Sequence, residues 1–184
     1  EEQRVTASRY IMSQAKRLQK ISQILLDEAF IRGNPPEMGE VALHKVLADA
    51  AEKLEEPGRR RGVTLTFRGE GCTVWGNETL LSMLFYNLAE NALKACSDGG
   101  QVVLSCRGNT ATVKDNGKGM TAEQMARVTE PFYRTDKSRS RADGGAGLGL
   151  ALCKRIADAH GAEMKFSSRL GEGTEVSLTF TTRQ

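Results

Sequence analysis

Four short segments that follow one another between residues 87 and 150 constrain this chain more than any other feature. They are Asn87-Leu-Ala-Glu-Asn91-Ala-Leu-Lys94, Asp115-Asn-Gly-Lys-Gly119, Glu130-Pro-Phe-Tyr-Arg134 and Gly145-Ala-Gly-Leu-Gly149-Leu150. Each is weak alone. Together they describe one nucleotide pocket built from a helix, two loops and a second helix. The pocket has no P-loop lysine, so its phosphates must be held by other means.

The first segment lies on a helix that Asn77 caps and that runs to about residue 96. Leu81, Leu84, Leu88, Ala92 and Ala95 cluster in one arc of it. Asn87, Asn91 and Lys94 form a bordering stripe, within about 60° of one another on a helical wheel. Amides and a lysine beside a core are costly to desolvate unless something polar meets them. Phosphates and a magnesium ion meet that need, because Mg²⁺ takes one or two protein oxygens and fills its octahedron with phosphate and water. An exposed polar face is the other reading of the same stripe.

Asp115-Asn-Gly-Lys-Gly119 follows a strand, and its glycines allow the backbone to approach a flat ligand closely. A fixed carboxylate there can accept a hydrogen bond from the exocyclic amine of adenine. Gly144-Gly145-Ala146-Gly147-Leu148-Gly149 opens a helix beginning near 147, where backbone amides and the helix dipole favour an anion. Its G-x-G-x-G spacing after a basic loop fails the context test for a dinucleotide fingerprint. Arg134, Lys137, Arg139 and Arg141 of that loop suit a lid over a triphosphate, or equally a plain solvated loop.

The remaining elements follow from periodicity and turn chemistry. Residues 4–31 read as one helix with Ile11, Ala15, Leu18, Ser22, Leu25 and Ala29 on a narrow stripe, a coiled-coil or bundle seam. Gly33-Asn34-Pro35-Pro36 stops it. A second helix is predicted at about 41–56, with Val46, Leu47, Ala50 and Leu54 inward. Strands are predicted at Val63–Phe67, Cys72–Trp75, 101–107, 110–115, 162–167 and 174–180, with Gly108-Asn109 as a hairpin turn. Thr121 with Gln124 forms a capping box. Hairpins with helices on one side give an α+β, two-layer α/β sandwich, a mixed sheet covered by helices on one face and preceded by a long N-terminal helix.

A net charge of +3 over 184 residues is too small to argue for nucleic acid or an anionic membrane. Arg59-Arg60-Arg61 reads as a solvated loop. Cysteines 72, 96, 106 and 153 form no C-x-x-C pair and read as reduced thiols of a cytosolic protein. No apolar run reaches the roughly 18 residues of a membrane span, so no membrane contact is expected. The chain begins with Glu, so it reads as a piece of a longer protein.

The four segments resemble the N, G1, F and G2 boxes of the catalytic domain of two-component sensor histidine kinases, within the gyrase, Hsp90, histidine kinase and MutL superfamily. The resemblance covers essentially the whole chain. It implies a Bergerat-type ATP site in a catalytic domain at 41–184, a linker at 34–40, and a truncated second helix of the dimerisation and phosphoacceptor hairpin at 1–33. By resemblance, Asn91 coordinates Mg²⁺ and Asn87 supports the phosphates. Lys94 contacts phosphate, and Asp115 reads the adenine amino group. Gly117 and Gly119 shape the adenine loop. Arg134 meets the γ-phosphate with Lys137 nearby, and Gly145, Gly147, Leu148 and Gly149 form the base of the lid. ATP and Mg²⁺ are the implied cofactors, and a response regulator and a homodimer through the hairpin the implied partners.

Asn87 also discriminates within the superfamily. The ATP hydrolases and serine kinases carry Glu there, which can deprotonate water or a hydroxyl; an amide cannot. A neutral imidazole is already a nucleophile. Asn87 therefore favours transfer to histidine over hydrolysis or serine phosphorylation, the rival activities, or over a module that no longer binds nucleotide. Glu90 points roughly 100° from Asn91 and is a poor substitute base. His44, followed by Lys45, and His160, just before Gly161, both sit on apolar faces and read as structural. The acceptor histidine is expected upstream of Glu1, so autophosphorylation of this piece is not expected.

Overall fold

The computed structural model describes residues 37–134 and 147–181. In chain order it contains β1 (Gly39–Ala42), α1 (Leu43–Arg60), β2 (Thr64–Arg68), β3 (Thr73–Gly76), α2 (Glu78–Ala95), β4 (Gln101–Arg107), β5 (Thr110–Asp115), α3 (Ala122–Arg127), α4 (Gly149–Ala159), β6 (Glu163–Arg169) and β7 (Gly173–Thr179). The helix and seam expected over 4–31, and residues 1–36 as a whole, lie outside the described residues.

Five strands form one sheet in the order β2-β4-β5-β7-β6, with β2 parallel to β4 and every other pair antiparallel. Period-two alternation sends Val102, Leu104 and Cys106 of β4, and Ala111, Val113 and Asp115 of β5, to one face. The register aligns Phe67, Leu104, Val113, Val176 and Phe166 in one cross-strand row, and Leu65, Val102, Asp115, Thr174 and Ser168 in a neighbouring one.

Those rows meet the apolar sides of three helices. Leu43, Val46, Leu47, Ala50 and Leu54 of α1 are buried, as are Leu81, Leu84, Phe85 and Leu88 of α2 and Leu152 and Ile156 of α4. Each Val, Leu, Ile or Phe among them contributes about 1.5–3 kcal/mol by leaving water. The opposite face of the sheet is polar, with Lys114 and Glu175 paired at 3.1 Å and Thr110 beside Thr179. The fold is the expected two-layer α+β arrangement around a mixed sheet. All four cysteines are free and buried.

Several boundaries move for identifiable reasons. Gly39–Ala42, partly inside the stretch expected to link, pairs antiparallel with β3 and starts α1 at Leu43. That helix continues through Pro57 to Arg60, although the proline has no N–H to offer the Lys53 carbonyl one turn back. Arg59 and Arg60 therefore belong to a helix end and not to a loop; both pair with Glu56 and complement the helix dipole. The turn at Gly108-Asn109 joins β4 to β5, and Thr121 and Gln124 form both bonds of the capping box.

Candidate nucleotide site

The site lies where α2 and α4 meet beside the end of β5. Asn77 starts α2: its Oδ1 accepts from the Leu80 N–H at 3.0 Å, and its Nδ2 donates to the Glu37 carbonyl at 3.0 Å. Beyond the cap, the apolar arc fixes the rotation of α2 and leaves Asn87, Asn91 and Lys94 half-buried at its border. The Asn87 Nδ2 donates to the Met83 carbonyl one turn back at 2.9 Å. That bond turns Oδ1 away from the α2 backbone and toward α4.

The facing element is the N-terminus of α4. A Cβ placed on Gly149 would stand 3.3 Å from Asn87 Oδ1 and 3.7 Å from Asn91 Nδ2. Leu148, at the cap position, supplies no side-chain hydrogen bond. The first turn of α4 thus carries no side-chain cap from Leu148 and stands directly against the two carboxamides. Lys94 Nζ lies 2.8 Å from Glu90 Oε1, so Glu90 is engaged with the lysine of the same stripe. The structure brings together Asn87, Asn91, Leu148 and Gly149 from two separated segments. Lys137 and Gly145 lie outside the described residues.

Asp115 ends β5 on the helix-facing side and is the buried charged residue of the described core. Its Oδ1 accepts from the Gly117 N–H at 2.8 Å and the Thr174 N–H at 3.3 Å. Both bonds fall on Oδ1, and Oδ2 takes part in neither. Burial pushes the carboxyl pKa up, opposed by the Gly117 and Thr174 amides.

The following loop is tied to its surroundings residue by residue. The Lys118 N–H donates to the Ala95 carbonyl at 3.1 Å, the Met120 N–H to Ser168 Oγ at 2.9 Å, and the Gly171 N–H to the Lys118 carbonyl at 2.7 Å. Gly119 has φ +63, and a side chain there would collide with the Arg169 carbonyl. Gly117 has no room either: a Cβ would come 2.5 Å from the Ala95 carbonyl oxygen.

The Glu130–Arg134 segment approaches from the third side. The Arg127 guanidinium stacks 4.5 Å over the Tyr133 ring and pairs with Glu130 at 3.0 Å. Phe132, 66% exposed, adopts φ +66, a left-handed conformation that costs a bulky residue on the order of 1–3 kcal/mol. Its N–H donates to the Gly147 carbonyl at 2.8 Å, which binds this segment to the glycine-rich one. Arg134, next along, is half-buried.

Two contributors escape sequence reasoning. Thr174 supplies a backbone amide to Asp115 from 59 residues away, and a side chain on Gly173 (φ +103) would strike the Asp115 carbonyl. The Gly171-Glu172-Gly173 stretch between the last two strands marks a turn and says nothing of a pocket. Both histidines make hydrogen bonds within the fold. His44 Nδ1 lies 3.1 Å from the Cys72 carbonyl, and His160 joins α4 to α2.

Among the described residues, no three His, Cys, Asp or Glu side chains gather to hold a metal ion, and no helix is long and apolar enough to cross a membrane. The carboxamide oxygens of α2 are hard donors, of the kind that a cation sharing its shell with phosphate oxygens accepts.

A two-layer domain with a carboxylate on the sheet, carboxamides on one helix and an open helix terminus opposite them defines an ATP-binding class. The chain belongs to the histidine kinase-, DNA gyrase B- and HSP90-like ATPase family, whose model matches residues 76–184. It is the ATP-binding catalytic domain of the sensor histidine kinase kind.

It is 37% identical over 134 residues to the signal transduction histidine-protein kinase BaeS of Escherichia coli, spanning 66% of this chain and 29% of BaeS. To the sensor-like histidine kinase SenX3 of Mycolicibacterium smegmatis it is 33% identical over 149 residues, 78% of this chain and 39% of SenX3. The chain thus spans well under half of these curated relatives. Among solved structures, the catalytic domain of histidine kinase ThkA superposes with a TM-score of 0.67 at 22% identity, over 78% of this chain and 95% of that one. Acinetobacter baumannii histidine kinase AdeS gives 0.71 at 15%, over 93% and 82%.

Proposed function

We propose that this domain binds ATP with Mg²⁺ and donates the γ-phosphoryl group to a histidine on a dimerisation hairpin, for relay to a response-regulator aspartate. In this reading the catalytic domain spans 41–184, and residues 1–33 are the second helix of that hairpin. The observation that carries it is the packing of Gly149 against Asn87 and Asn91, which sets an uncapped helix N-terminus opposite two carboxamides.

Adenine is read by Asp115 through Oδ2, because Oδ1 is occupied by the amides of Gly117 and Thr174. Gly117 and Gly119 keep the loop flat enough for the base. The phosphates run from there toward the first turn of α4, with Asn87, Lys94 and Arg134 around them. Asn91 would hold Mg²⁺ through its carboxamide oxygen, and the ion when bound neutralises phosphate charge.

The side chain at position 87 is what separates the activities of the family. The Asn87 amide cannot remove a proton from water or a hydroxyl, and Glu90 is held by Lys94. A neutral imidazole nucleophile needs no such base. Positioning and charge neutralisation then supply most of the rate.

Calorimetric titration with a non-hydrolysable ATP analogue and Mg²⁺ tests the reading. Saturable binding is expected, weakened at least about tenfold in Asn91→Ala and with its Mg²⁺ dependence lost. No binding at millimolar nucleotide would overturn it. Mixing the domain with a separate hairpin that carries a histidine should give acid-labile, base-stable phosphate on that hairpin.

A further inference from the structure

His160 follows α4 directly, on the side of the domain away from the phosphate end, and no part of the mechanism above uses it. Its surroundings are unusually specific. The Asn77 N–H donates to His160 Nε2 at 2.9 Å, and Nδ1 lies 2.7 Å from the Ile156 carbonyl. Nε2 is therefore an acceptor and Nδ1 carries the proton, so both ring nitrogens of a neutral imidazole are used. Gly76 leaves the space for the ring: a Cβ there would come 2.7 Å from His160 Cδ2.

The bond matters because of what lies along the same pair of helices. Cys153 Sγ donates to the Leu84 carbonyl at 3.5 Å in the middle of the pair. Gly149 meets Asn87 and Asn91 at the other end. From Asn77 to Leu84, and back from His160 to Cys153, each helix advances seven residues, close to two turns. The helices thus run antiparallel in a fixed register, and their polar contacts fall on one shared face. His160 is the hydrogen-bonded end stop of that register.

We propose that His160 is a positioning residue for phosphate binding: by holding the C-terminus of α4 to the cap of α2, it sets where the first-turn amides of α4 stand against Asn87 and Asn91. This rests on the ATP-binding reading above. It separates the two halves of the ligand, because Asp115 is fixed by β5, β7 and its own loop and not by α4. Loss of the His160 bond should therefore move the phosphate contacts and spare the base.

The test compares the ATP analogue with Mg²⁺ against adenosine on the full chain, the first by calorimetry and the second by amide chemical-shift titration. His160→Phe fills the ring space and removes both hydrogen bonds. It is expected to weaken the ATP analogue about tenfold while adenosine affinity stays within about twofold. His160→Gln, which can again accept at the ε position, should restore most of the ratio.

Equal losses for both ligands, or no loss for either, would overturn the proposal. If the Phe variant does not fold, His160→Asn keeps the donor to Ile156 and removes only the acceptor for Asn77. The same selective loss is expected there, and an unchanged ratio overturns the proposal. A wild-type chain that binds neither ligand removes the ATP reading itself, and this inference with it. A wild type that binds both, with variants that keep its ratio, removes only the inference.

Discussion

The two ends of the pocket are built in different ways. At the end proposed for the base, Asp115 projects from a central strand, its Oδ1 is held by two backbone amides, and the loop beyond it is pinned at Lys118, Met120 and Gly171. Backbone does nearly all of this work, within a hydrogen-bonded sheet. At the end proposed for the phosphates, the groups are side chains on one helix and the first turn of another. Their relation depends on how two helices register through a handful of contacts. A flat base needs a rigid slot with one oriented acceptor, and backbone supplies that. On the proposed reading the phosphates meet first-turn amides whose place is set by a helix pair.

Exchanging glycines for alanine should expose this difference most strongly. Gly173→Ala forces φ +103 on a residue with a Cβ and drives that atom into the Asp115 carbonyl. A stability loss of about 3 kcal/mol or more is expected in urea denaturation. Gly149→Ala meets only ordinary helix geometry and side chains that can yield. Its stability should stay within about 1 kcal/mol of wild type while ATP affinity falls. Similar denaturation midpoints for the two variants would erase the contrast.

Asp115→Asn probes the base end more gently. The carboxamide can still accept from Gly117 and Thr174, but it turns an amide donor toward the adenine amine. ATP affinity should drop about 100-fold. Stability should not drop with it. Burial holds the Asp115 pKa above its unfolded value, so near neutral pH the ionised carboxylate costs stability, a cost that shrinks as pH falls from the folded pKa toward the lower unfolded value. A neutral isostere removes that cost at any pH, so the thermal midpoint at pH 7 should stay level or rise. A variant that binds ATP normally would take Asp115 out of the base site.

The smallest effect expected is an acid sensitivity of the helix pair. Burial lowers the His160 pKa, against the opposing bond to the Ile156 carbonyl, and the bond accepted from the Asn77 N–H exists only while Nε2 is unprotonated. The folded state therefore resists protonation that the unfolded chain accepts below about pH 6.5. The neutral ring's contribution is complete above that value and is lost as pH falls from it toward the lower folded pKa. Denaturation midpoints at pH 7.5 and 5.5 should differ more in wild type than in His160→Gln. Identical slopes would show that some other group carries the acid response.

Legibility in the sequence follows the same divide. Helices with strong periodicity, the Asn77 cap, the Gly108-Asn109 turn and the Thr121–Gln124 box were all readable, because each depends on neighbours a few residues apart. The amide stripe of α2 was readable for the same reason. β1 was not, since four residues carry no usable alternation and only pairing with β3 makes them a strand. The parallel contact of β2 with β4, and the service of Gly173 and Thr174 to Asp115, join segments distant in the chain. His44 and His160 could be read as structural, but the partner of His160, 83 residues away, could not.

The seven-residue step shared by α2 and α4 also limits how such a chain can change in length. One residue inserted into either helix turns everything beyond it by about 100° and shifts it by about 1.5 Å. The Asn77, Leu84 and Asn87 contacts could then no longer be made together. Gly71 and Gly108 stand in open space, with nothing within 4 Å of an added Cβ. Insertions in descendants of this chain should collect at those turns, while 77–91 and 149–160 vary by substitution alone.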